Sequence, residues 1–161
     1  MPVSIKIAGL DELQRKLGAD FRPAMRGATR AIAAELQGEI APYPPTTEAN
    51  RPRSDIATRR ALPWYERGYG TRYLLKGGGM GGRKTSETLG RRWGIERRGS
   101  IGSVLGNIAS YSPYVHSEEK QAKFHGRWGW VTDEDAVKKV ERDGTIKRIV
   151  SDAVMHALGQ R

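Results

Sequence analysis

Apolar positions recur with regular spacing at both ends of the chain and lose their period in between. Val3, Ile5 and Ile7 alternate with Ser4 and Lys6, which predicts a short strand broken by Gly9. Leu10, Leu13 and Leu17 then share one helical face. Asp11 and Glu12 fall in the first turn, where the helix dipole favours acids, and Gly18 follows the last turn. A longer helix is predicted from Pro23, whose fixed φ suits a first turn. Its stripe reads Met25, Ala28, Ile32, Leu36 and Ile40, with Arg26, Arg30, Glu35 and Glu39 on other faces, and Pro42 stops it.

The C-terminal end is equally periodic. Thr132 followed by Asp133, Glu134 and Asp135 reads as an N-cap with acids in the first turn. Val137 and Val140 point inward, and Asp143-Gly144 marks a break. The last helix carries Ile146, Ile149, Val150, Ala153, Val154, Ala157 and Leu158 on one stripe.

Between the helical ends, Trp93 to Arg97 predicts a strand and Arg98-Gly99 a turn. Ser100 to His116 predicts a central β-hairpin with Gly106-Asn107 as its turn or bulge. Val104, Ile108, Tyr111, Tyr114 and Val115 are its expected core positions. Pro113, lacking an amide hydrogen, is expected at a strand edge or bulge. Residues 117–130 read as a loop anchored by Phe124, Trp128 and Trp130.

From Tyr43 to Gly99 most periodicity is lost. Prolines 42, 44, 45 and 52 favour extended backbone. An aromatic and basic run follows (Trp64, Tyr65, Arg67, Tyr69, Arg72, Tyr73), then glycines at 77–79, 81 and 82. The pattern predicts one α+β domain over residues 1–161, a small antiparallel sheet packed by the long N-terminal-half helix and the C-terminal helices. Residues 43–99 are inserted as a long basic arm or loop rich in glycine and aromatics.

Charge sharpens this division. The net charge is +10, and residues 51–99 hold 13 Lys or Arg against 4 Asp or Glu. Residues 1–50 balance at 6 against 6, as do residues 132–161. A positive field confined to one segment is expected to meet an acidic surface or nucleic acid. There is no cysteine, hence no disulfide framework and no thiolate metal site. No apolar run reaches the length of a membrane span, and the first residues lack the pattern of a secretory leader, so the expectation is a chain kept in the cytoplasm without membrane contact.

Candidate chemistry is sparse. Gly77 to Thr85 has the glycines of a phosphate-binding loop, but Arg83 separates Gly82 from Lys84, and no lysine–hydroxyl pair is contiguous with the glycines. His116, Glu118, Glu119 and His125 are capable metal ligands whose spacing matches no strong pattern. No nucleophile–base set or carboxylate pair has supporting context, so no enzyme and no cofactor is expected. The informative residues are Trp64, Tyr65, Tyr69, Tyr73, Arg91, Arg92 and Trp93, read as an interface arm because Arg, Tyr and Trp anchor protein interfaces. The same interleaving of aromatic and basic residues can stack bases and hold phosphates, and a solvated loop would leave the aromatics without a role.

Two blocks of residues carry a resemblance. Ile5-x-Ile7-x-Gly9-Leu10-Asp11-Glu12-Leu13-x-x-x-Leu17 with an alanine-rich helix ending at Ala41-Pro42, and later Tyr111-x-Pro113-Tyr114-Val115-His116, resemble the tail-completion or neck (head–tail joining) family of long-tailed bacteriophages. The resemblance covers about residues 3–42 and 100–158. It implies a small curved antiparallel sheet with helices packed on it. It also implies copies assembled as a homo-oligomeric ring, with six-fold symmetry the leading expectation. Such a ring joins the head connector to the tail tube or tail terminator proteins and leaves a channel for genomic DNA. It places the protein in the virion neck or upper tail, and in the host cytoplasm during assembly. The chain departs from that family after the long helix, where Pro44-Pro45-Thr46 opens an excursion. It departs again after the Tyr-Val strand, where Ser117-Glu118-Glu119 replaces the usual Gly-Thr. A small DNA-binding protein gripping phosphates through residues 51–99 is the alternative.

Overall fold

In a computed structural model of the chain, residues 2–5, 8–18, 20–45, 73–74, 80–81 and 89–159 are described. Strand β1 (Val3–Ile5) leads into α1 (Leu10–Leu17) and the long α2 (Arg22–Ile40). Two-residue strands β2 (Tyr73–Leu74) and β3 (Met80–Gly81) pair with each other, and a single 3-10 turn spans Leu89–Arg91. Strands β4 (Trp93–Arg98) and β5 (Gly102–Asn107) form the hairpin. Short helices α3 (Ser112–His116) and α4 (Lys123–Arg127) precede α5 (Asp133–Arg142) and α6 (Thr145–Ala157).

The fold is α+β: a three-stranded antiparallel sheet of order β1-β5-β4 with helices on it. Register puts Val3, Leu105 and Ile95 across from one another on the face that meets α2, with Ser4, Val104 and Glu96 on the other. The main core joins both ends of the sequence. Ile32, Ala33, Leu36 and Ile40 of α2 meet Leu105, Ala136 and Val140, with Ile146, Ile149 and Val150 of α6 packed alongside. A second cluster of Phe21 and Met25 is covered by Ile101, Val154 and Ala157.

Local rules account for the element ends. Gly9 and Gly18 flank α1 at φ 79° and 65°, the left-handed region where a side chain is strained. The Thr132 hydroxyl accepts from the Asp135 amide at 3.1 Å, which caps α5 as its sequence predicts. Thr29, buried on α2, accounts for the helix-to-hairpin register. Its hydroxyl donates to the Ile101 carbonyl at 2.6 Å and lies 3.2 Å from the Ser103 hydroxyl.

The expected Ser100–His116 hairpin is corrected. The turn lies at Gly99–Ile101, Gly106 and Asn107 remain inside β5, and Ser112–His116 is helical. Pro113 sits in the first turn of α3, where its fixed φ fits and its missing N–H costs nothing. The spacing of Tyr111, Tyr114 and Val115 is itself helical. The expected core positions divide accordingly. Val115 is buried, Val104 and Tyr111 are half-buried, and Ile108 and Tyr114 are 77% and 58% exposed. Leu105, the neighbour of Val104, is the fully buried strand residue. Strand β1 ends at Ile5, and Ile7 lies outside the described residues.

Candidate functional site

The residues expected to form an arm do not share one environment. Trp64, Tyr65 and Tyr69 lie outside the described residues, and Tyr73 contributes backbone to the β2–β3 pair. Trp93 belongs to the body of the fold rather than to an arm. It is half-buried on the inward face of β4 and packs against the main core. Its ring meets His116 edge-on at 5.3 Å between centroids. Leu89, also inside the expected excursion, is 2% exposed and packs with Ala109, Val115 and Trp130. Residues 89–98 therefore belong to the body of the fold and not to the expected arm. A strand with an inward Trp93 and Ile95 needs the helices that close over it.

Trp93, His116, Trp130 and His125 form a continuous ring cluster, with Tyr43 edge-on to Trp130 at 5.0 Å. His116 is buried and its Nδ1 lies 2.8 Å from the Val131 carbonyl, which can only accept, so Nδ1 carries the proton. Burial pushes its pKa below the ordinary value, opposed by that carbonyl. His125 is lowered to about 4, first by burial and then by repulsion from His116. Both imidazoles are neutral near pH 7, and the cluster is a packing unit that holds the 109–131 segment against the sheet. Gln121 completes it by donating from Nε2 to the Val115 and Trp130 carbonyls at 2.7 and 3.0 Å. Among the described residues no group of three or more His, Cys, Asp or Glu is arranged to hold a metal ion. The His116–Glu118–Glu119–His125 set divides, because His116 points inward while Glu118 and Glu119 are exposed.

The surface is more distinctive than the interior. Arg91, Arg92, Arg97 and Arg98 are all exposed, bracketing β4 at one edge of the sheet. At the other edge, a groove of about 390 Å³ runs beside Val3 and Val137 and carries Glu118, Glu119, Asp133 and Glu134. Asp133 is held in place by the Glu118 and Glu134 amides, which both donate to Oδ1 at 3.0 Å. The sequence pattern marks the basic side plainly. It hides the acidic side, because two acidic pairs fifteen residues apart meet only through the fold.

Large apolar side chains also face solvent at Leu17, Ile108, Tyr114, Met155 and Leu158. No residue of α6 is fully buried, so its stripe is shared between the two core clusters and the surface. No helix among the described residues is long and apolar enough to cross a membrane. Comparison with protein-family models, with curated proteins and with solved structures returned no match.

Proposed function

We propose that this chain is a structural virion protein of the neck or upper tail of a long-tailed bacteriophage. In this reading its copies form a ring that joins the head connector to the tail and leaves a channel for DNA. The observation that carries the reading is where the family-like residues lie in the fold. The 3–42 block supplies β1 and α2 and the 100–158 block supplies β5, α5 and α6, and these pack on one another as the main core. The exposed apolar residues Ile108, Tyr114, Met155 and Leu158 suit a subunit that buries more surface on assembly.

A DNA-binding protein is the second reading, favoured by the exposed arginines along β4 and the net charge of +10. Sedimentation of the full chain, paired with a DNA titration at several salt concentrations, separates the two. A discrete oligomer formed without DNA supports the neck reading. A monomer that binds duplex DNA with a steep salt dependence supports the second and ends the first.

A further inference from the structure

The sheet ends in two open edges that differ in charge. The order β1-β5-β4 leaves β1 and β4 each paired on one side only, among the described residues. Unpaired strand edges present N–H and C=O groups to any strand that approaches. Both edge strands run antiparallel to β5, so they run in the same direction as each other. The β4 edge carries Arg91, Arg92, Arg97 and Arg98 against a single acid, Glu96. Beside β1 the groove is apolar at Val3 and Val137 and acidic at Glu118, Glu119, Asp133 and Glu134, of which Glu134 is paired with Lys138 at 2.8 Å.

We infer that the groove beside β1 is the docking site for the β4 edge of a second copy of this chain. The contact is head-to-tail: each copy presents its basic edge to one neighbour and its acidic groove to the other. This rests on the ring reading above and states which surfaces make the ring. Charge complementarity selects the occupant. Two β4 edges meeting each other, or two β1 grooves, would set like charges together, which is strongly unfavourable at an interface. Such a heterologous contact repeats from copy to copy and closes into a ring when its rotation divides the circle. Because β1 and β4 are parallel, copies related by rotation about an axis along the strands bring these edges together without inverting either one.

The test reverses one edge at a time in the full chain. Arg97→Glu/Arg98→Glu makes the β4 edge acidic, and Glu118→Arg/Glu119→Arg makes the groove basic; all four residues are exposed. Each double variant alone is expected to lose the oligomer at concentrations where the wild type is fully assembled, with its circular dichroism unchanged. Mixed in equal amounts, the two are expected to regain it, since every contact in an alternating ring then pairs opposite charges. A chain carrying all four changes is also expected to assemble. If both double variants assemble as the wild type does, the inference is overturned while the ring reading stands. The inference also fails if neither the mixture nor the fourfold variant recovers. A wild type that never assembles ends both. Salt on the wild type gives a readout free of any folding defect, because the oligomer must weaken as screening rises. An oligomer indifferent to salt contradicts the pairing.

Discussion

His116 is 2% exposed and wedged between the rings of Trp93 and Trp130, where a proton on its free nitrogen would place a charge among apolar rings. Its lowered pKa, and that of His125 at about 4, fix the sign of the pH response. The unfolded chain takes up these protons near pH 6.5 and the folded chain only at lower pH, so stability holds above that value and falls toward about 4. Urea midpoints across this window should show a plateau and then a decline, with a shallower decline in His125→Gln. An equal slope in that variant would remove His125 from the account. Thr132→Ala removes the hydroxyl that caps α5 and should lower the unfolding free energy by about 1 kcal/mol. Gly102 has a different constraint: a Cβ there would lie 2.5 Å from the Arg98 carbonyl oxygen of β4 and 3.3 Å from the Ile5 carbonyl oxygen of β1. Gly102→Ala should therefore cost about 1–3 kcal/mol, read as a drop in Tm. A Tm equal to that of the wild type would mean that the turn relaxes freely.

At the scale of elements, α6 is held through a half-buried stripe, with Ile146, Ile149 and Val150 on the main core and Ala153, Val154 and Ala157 on the second cluster. Ile149 packs with Ile146 and Val150 against the main core, and Ile149→Asp would set an unpaired carboxylate there, at a cost of about 3 kcal/mol or more. Loss of soluble folded protein is the expected result; a stable, soluble variant would place this stripe on the assembly surface instead. The helices were legible because each carries its own punctuation: Gly18, Pro23, the Thr132 cap and Gly144 all act within a turn of the residues they delimit. Helix α3 was not legible as a helix. Only five residues long, it follows closely on the apolar run of β5, and the strand-like neighbours hide the helical spacing of Tyr111, Tyr114 and Val115. Ser112, Val115 and His116 are its buried face, and His116 reaches Val131 to hold it. Trp93 misled for the same reason, since its chain neighbours are basic and its true neighbours are His116 and the main core. Of the proposed docking site, the arginines stood out in the chain. The acidic groove needed α5 brought beside the 117–119 turn.

For the whole molecule, the described residues form a sheet with a basic edge, an acidic groove and exposed apolar side chains, and under the proposed ring these are the surfaces on which copies would meet. The aromatic residues between 64 and 73 bear on the same question through the sequence. Truncating an interface anchor costs about 2 kcal/mol or more, so Trp64→Ala and Tyr69→Ala should each weaken assembly in sedimentation. Neutralising Arg91, Arg92, Arg97 and Arg98 should weaken assembly without abolishing any DNA complex of the wild type, the reverse of what a phosphate-gripping segment requires. The most direct measurement is an electron-microscopy image of the purified full-length chain, with its particle mass determined in the same buffer. The neck account predicts closed rings of one copy number with a central opening wide enough for duplex DNA. Monomers at every concentration, or open filaments of no fixed mass, would contradict it.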